Sequence, residues 1–293
     1  MTILDHMVDK ICMVTGSTSG IGAAAARELS RLGASVIVAG RSAGKLARQV
    51  ERIKRLVPDA RLDVLVADLS SQKQVRQLAE EFKRRYARLD VLINNAGAVF
   101  ARREETADGL EITFALNHLS YFLLTNLLLD RLKASSSARI VVVSSAAHEQ
   151  ARINFDHLQA ERHYNRLEAY AQSKLANLLF TYELARRLGD TTITVNALHP
   201  GSVATNLGSN NNWLKTRLRN LLKPGMISPE QGAKTLVYLA TSPEVVAVTG
   251  QYFYNCRPMR SSEESYDKAN AEKLWLLSER LSGFHSETSR AQN

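Results

Sequence analysis

Tyr170 and Lys174 stand four residues apart in Tyr170-Ala171-Gln172-Ser173-Lys174, in a stretch whose helical periodicity continues through Leu188. That spacing brings a phenol and an ammonium to one face of a helix, a turn apart. A tyrosine at its reference pKa of about 10 is a poor base at neutral pH. A positive charge about 4 Å away, at an effective dielectric near 20, favours the phenolate by roughly 4 kcal/mol. At about 1.36 kcal/mol per unit, that is close to three pKa units, which brings the expected tyrosine near pH 7 and into range for general acid–base work. A solvated helix face shows the same spacing, so the surrounding elements must decide between the two.

Those elements alternate. Short apolar runs at 11–15, 35–39, 62–66, 91–93, 140–143 and 192–197 read as strands, and 251–254 is a candidate seventh. Helical patterns lie between them at 21–32, 42–56, 75–86, 110–132 and 170–188. Strands that are apolar throughout are buried on both faces, and β-α alternation winds right-handed. The expected fold is α/β: a single-domain, doubly wound parallel sheet (Rossmann fold) of about seven strands with helices on both faces. No linker, internal repeat or low-complexity tract divides the 293 residues. Residues 1–293 therefore read as one domain, with a core at about 10–257 and a C-terminal helical extension and tail at 261–293.

Between the first strand and first helix runs Thr15-Gly16-Ser17-Thr18-Ser19-Gly20-Ile21-Gly22. Glycines there permit a tight turn and let the backbone approach a pyrophosphate, which the helix N-terminus stabilises. Their spacing differs from the G-x-G-x-x-G of the general dinucleotide fingerprint.

Together these segments resemble the short-chain dehydrogenase/reductase family, over essentially Lys10 to Leu281. The likeness rests on Thr15–Gly22, Asp68-Leu69, Asn94-Asn95-Ala96-Gly97, Asn117, Ser144-Ser145, the Tyr170/Lys174 pair and Pro200-Gly201, which occur in the family's order. Within the family the chain is similar to the branch that contains retinol dehydrogenases, through Leu116-Asn117-His118-Leu119-Ser120-Tyr121-Phe122 and Ser173-Lys174-Leu175-Ala176-Asn177.

The resemblance implies roles. Tyr170 would be the general acid in carbonyl reduction and the base in the reverse reaction. Lys174 would lower the Tyr170 pKa and hold the nicotinamide ribose. Ser145, the second serine of its pair, would hydrogen-bond the substrate oxygen, and Asn117 would anchor a water linking Lys174 to solvent. Gly16, Ser17, Ser19, Gly20, Ile21 and Gly22 would meet the pyrophosphate, Asp68 and Leu69 the adenine, and Asn95, Ala96 and Gly97 the cofactor beside the fourth strand. Pro200, Gly201, Val203 and Thr205 would flank the nicotinamide.

Charge argues for the cofactor. An NAD-specific relative places an acid at the end of the second strand to bind the ribose hydroxyls. Here that strand ends Ala39-Gly40-Arg41-Ser42. Arg41 can grip a 2′-phosphate bidentately and Ser42 can add a hydroxyl, so NADP(H) is the expected cofactor.

After Thr205, residues 206–228 carry Trp213, Leu214, Leu218, Leu221 and Leu222 interleaved with Lys215, Arg217, Arg219 and Lys223. This is a short basic amphipathic stretch, read as a lid over a lipophilic substrate with weak membrane-surface contact, or as a helix packed on the body. The expected activity is reversible reduction of a lipophilic aldehyde or ketone. Carbon–carbon double-bond reduction of the protochlorophyllide reductase type, and a low-turnover NADP(H)-binding regulatory protein, are the alternatives. Residues 148–168, longer than in many relatives, are expected to wall the substrate entrance; their histidines form no metal-ligand set.

The net charge of +9 and pI near 9.6 come partly from Arg48, Arg52, Lys54 and Arg55 and from Lys83, Arg84, Arg85 and Arg88. Both groups fall on amphipathic helices, and no nucleic-acid reading module accompanies them. Two cysteines suggest a reducing compartment, with Cys12 a buried thiol. Residues 1–10 leave no room for a signal-peptide apolar region, and the apolar run at 121–129 is too short to span a bilayer. The expectation is a cytoplasmic protein without a transmembrane segment, monomer or homodimer. Residues 119–132 and 170–188 are the faces through which relatives pair.

Overall fold

Alternating side chains explain the core. In β1 (Ile11–Thr15), Cys12 and Val14 point to one side of the sheet and Met13 to the other. In β2 (Ser35–Gly40), Val36 and Val38 join the first side, Ile37 and Ala39 the second. A strand apolar at every position has two apolar faces, and each needs a layer of helices. The computed structural model describes residues 7–203 and 226–285 and shows both layers.

Helix α1 (Gly20–Arg31) follows β1, α2 (Ala43–Leu56) follows β2, and α3 (Gln72–Arg85) follows β3 (Arg61–Val66). Next come β4 (Val91–Asn94), the short α4 (Ile112–Phe114), a π-helical turn (Ala115–Leu119), α5 (Ser120–Leu127) and α6 (Leu129–Lys133). After β5 (Arg139–Val143) and a 3-10 turn (Ala146–Gln150) the long α7 (Arg166–Arg187) leads to β6 (Thr194–Leu198). Helix α8 (Pro229–Thr241), β7 (Gln251–Tyr254), β8 (Arg257–Met259) and α9 (Lys268–Ser282) complete the described chain. Strand order is β3-β2-β1-β4-β5-β6-β7-β8, parallel except for the last pair. Connections diverge from β1 and β4, and the crevice between them lies at the C-terminal ends of both strands, where open α/β sheets bind ligands.

The architecture is the α/β doubly wound sheet that the periodicity implies, with two local departures. The eighth strand is antiparallel and was not expected. It folds back through a two-residue turn in which Asn255 and Cys256 both have positive φ (49° and 61°), the geometry that suits hairpin twist. Thr235 Oγ1 accepts the Cys256 N–H at 3.1 Å and helps to hold a non-glycine residue there. The strand escaped notice because its three residues are exposed and include Pro258, which only an edge strand tolerates. The second departure is the expected helix at 110–132, which breaks into α4, the π turn, α5 and α6. Glu111 caps its start, accepting from Thr113 and Phe114 N–H at 2.8 Å each.

The C-terminal extension docks as α9 across α5 and α7. Trp275 sits edge-on to Phe122 (4.9 Å) and stacks on Phe180 (6.1 Å), and Arg187 lies 4.3 Å above its ring. Gln72 and Arg76 donate to the Leu281 and Ser282 carbonyls at the far end. No helix among the described residues is long and apolar enough to cross a membrane. Cys12 is fully buried, and burial raises its thiol pKa.

Candidate active site

The glycine turn is shaped for close approach. Gly16 has φ +66°, and a Cβ there would fall 2.7 Å from Ala96 Cα. A Cβ on Gly22 would fall 2.4 Å from Asn95 Nδ2 and 2.6 Å from the Gly16 carbonyl. Thr15 Oγ1 stitches β1 to β4: it donates to Ile93 O and accepts the N–H groups of Asn95 and Ala96. The Asn95 amide donates to Thr15 O (2.7 Å) and Gly16 O (3.3 Å), so it braces the turn from beneath. Ser17 Oγ is turned inward to Ala39 O.

Side chains of Ser42, Asn165, Ser228 and Asp267 cap helices α2, α7, α8 and α9, whereas Ser19 of α1, like Ser71 of α3, makes no such bond. The first-turn N–H groups of α1, beside Gly20 and Ile21, are therefore free to donate to an anion such as a pyrophosphate. Arg41 stands exposed at the end of β2, with no ion-pair partner among the described residues. Asp68 uses one carboxylate oxygen to accept from Ser70 N and Oγ, which leaves the other for an adenine amino group. The Leu69 side chain lies in the core.

The expected catalytic residues converge at the ends of β4 and β5. Asn117, on the π turn, clasps Ala98 from both sides, accepting its N–H at 2.9 Å and donating to its carbonyl at 3.0 Å. A π turn widens a helix locally and is often found at functional sites. Asn117 Nδ2 also donates to Ser173 Oγ, and its carbonyl accepts from Asn177 Nδ2. A Cβ on Gly97 would come within 3.1 Å of Asn117 Oδ1 and 3.5 Å of Lys174 Nζ.

Alternation separates the two serines. Ser144 is buried and donates to the Lys174 carbonyl, whereas Ser145 is partly exposed, accepts the Ala147 N–H and lies near enough to Tyr170 to act on its pKa. Lys174 is buried, its Nζ donates to Val143 O at 3.0 Å, and it lies 5.7 Å from the Tyr170 ring centre.

This geometry corrects the expected electrostatics. Burial raises the Tyr170 pKa above its ordinary value, and the nearby Ser145 hydroxyl only partly opposes it. Burial also pushes Lys174 down to about 7. Desolvation is the leading cause for both groups, and the ammonium donates to a backbone carbonyl instead of the phenol.

Pro200 and Gly201 (φ +80°) follow β6, and Val203 pairs with Ile227 and packs near Ile21 and Gly232. Thr205 and all but 226–228 of the expected lid lie outside the described residues. In the 148–168 segment Ala151, Ile153 and Leu158 join Leu175 and Leu179 of α7 and Leu274 of α9, while residues 161–163 and 165–168 are exposed. Tyr164 donates to Phe100 O, and no metal-ligating cluster occurs among the described residues. The sequence motifs include Thr15, Ser144 and Asn177 without giving them a role of their own, and they place His148 only in the segment expected to wall the entrance.

Residues 10–214 match the family model described as short chain dehydrogenase. The chain belongs to the short-chain dehydrogenase family. Human retinol dehydrogenase 14 is 45% identical over 94% of this chain and 87% of its own length. The solved structure of an uncharacterised protein from Mycobacterium paratuberculosis superposes with a TM-score of 0.77 at 34% identity, covering 96% of each chain. A short chain dehydrogenase from Escherichia coli CFT073, solved in complex with NADPH, gives 0.68 at 26% identity over 85% of this chain and 98% of that one. Membership makes this chain an oxidoreductase with a nucleotide-binding Rossmann fold.

Proposed function

We propose that the chain reversibly reduces a lipophilic aldehyde or ketone to the alcohol with NADPH. The observation that carries this is Tyr170 with buried Lys174 5.7 Å from its ring centre and Asn117 and Lys174 both closing on Gly97, in a chain whose α1 opens with an uncapped glycine turn. NADP(H), when bound, supplies or takes the hydride. The first turn of α1 would hold its pyrophosphate, Arg41 its 2′-phosphate, and Lys174 its nicotinamide ribose.

Ser145 Oγ would donate to the substrate oxygen and fix the carbonyl against Tyr170. Its Oγ already accepts the Ala147 N–H at 3.2 Å, which leaves its proton free to point at the substrate. Tyr170 Oη then gives its proton to the developing alkoxide. A phenol kept protonated by burial suits that acid role at neutral pH. Lys174, titrating near neutrality, stabilises the phenolate left behind.

Retinol dehydrogenase 14 bears the name of a lipophilic alcohol, and the NADPH-bound relative supports the cofactor. The test is a panel of retinal, decanal and cyclic ketones with NADPH or NADH, followed by cofactor absorbance. Turnover of retinal or decanal with NADPH is expected. No turnover of any member with either cofactor would sink the reading.

A further inference from the structure

Beyond Ser144, whose N–H bonds Leu198 O at 2.7 Å, the chain leaves the sheet, and Ser145 has no strand partner. What holds it is His148. This side chain is fully buried on the 3-10 turn that Ser145 opens. Its Nδ1 lies 2.7 Å from the Ser145 carbonyl, which also accepts the His148 N–H at 3.1 Å. Its Nε2 lies 3.2 Å from the Ser262 backbone N. A carbonyl can only accept and a backbone N–H can only donate, so the ring is neutral with its proton on Nδ1. Tyr252 of β7 meets the ring edge-on at 5.1 Å and fixes its plane.

The other end of this strut is anchored to the helix that carries Tyr170. Ser261, next to Ser262, bonds the Tyr182 hydroxyl at 2.6 Å, and Tyr182 lies on α7. Ser261 also bonds Ser265 at 2.7 Å, and its N–H donates to the Tyr266 hydroxyl at 3.1 Å. A path thus runs from Ser145 through His148 and the 261–262 segment to α7, the helix that carries Tyr170.

We propose that His148 is a positioning residue for Ser145: an imidazole strut that ties the Ser145 main chain to α7 and so aims the Ser145 hydroxyl at Tyr170 and the substrate oxygen. This rests on the assignment of Ser145 as the group that holds that oxygen. A misplacement of about 1 Å at such a group costs up to about 10²-fold in rate.

The test is a double-mutant cycle on the full chain with NADPH and retinal or decanal, whichever the unmodified chain reduces faster. His148→Leu should lower kcat by about 10-fold or more with the KM for NADPH unchanged. The loss should vanish when the substitution is made in Ser145→Ala. An equal loss in both backgrounds, or none in the first, overturns the proposal. A Ser145→Ala variant of undiminished kcat overturns the Ser145 assignment instead, and the two failures read differently. Should His148→Leu not fold, Ser262→Pro enters the same cycle with the same two criteria. It removes the N–H that meets Nε2 at a residue whose φ is already −61° and whose hydroxyl has no partner among the described residues.

Discussion

Lys174 directs its ammonium at the carbonyl oxygen of Val143, 3.0 Å away, and Asn177 Nδ2 reaches the same oxygen at 3.4 Å. One backbone carbonyl at the end of β5 therefore orients the buried cation and, through Asn177, the π turn that carries Asn117.

Burial makes Lys174 a pH-dependent cost to the ligand-free fold. Its pKa of about 7 lies below the value of about 10.4 for a free lysine, so between them the unfolded chain binds more protons. The penalty is full below about pH 7, and stability recovers as pH rises from about 7 to about 10. Lys174→Met should thus melt above the unmodified chain at pH 6, with the gap closing towards pH 10. Melting curves across that range check it; a gap independent of pH would refute it.

Tyr170→Phe removes the proton donor and leaves the cofactor turn untouched. It should lower kcat by about 10²- to 10⁴-fold while NADPH still binds. Turnover and quenching of protein fluorescence by NADPH separate the two effects. An undiminished kcat would mean that another group supplies the proton.

Arg41→Asp should reverse cofactor preference, raising the KM for NADPH about 10-fold or more and lowering that for NADH. Because Arg41 is exposed, the KM for NADPH should also rise with salt in the unmodified chain. Steady-state kinetics with both cofactors decide this, and equal efficiencies before mutation would remove its basis.

Gly22→Ala places a methyl 2.4 Å from Asn95 Nδ2 and 2.6 Å from the Gly16 carbonyl, atoms that brace the turn. Overpacking of this kind costs about 1–3 kcal/mol. Urea unfolding should show that loss, together with weakened NADPH binding. Unchanged values of both would show that the turn has room to relax.

Trp275→Ala should destabilise the fold by about 3–5 kcal/mol, since the indole fills the seam between α5 and α7. Denaturant midpoints measure it. A loss under about 1 kcal/mol would mean that α9 is only loosely seated.

The sequence by itself determined the strand–helix alternation, the glycine turn, the choice of Arg41 over an acid, and the one-turn spacing of Tyr170 and Lys174. Each follows from a rule that acts within a few residues: apolar periodicity, the steric demand of a tight turn, or helix pitch. Only the tertiary structure decided where Lys174 points, that His148 is buried between Ser145 and Ser262, and that α9 covers α5 and α7. It also decided the two pKa directions, because desolvation depends on every atom packed around a group and not on its chain neighbours. Such outcomes rest on carbonyls and rings contributed by segments as distant as Ser145 and Ser262, and no local pattern records which of them will meet.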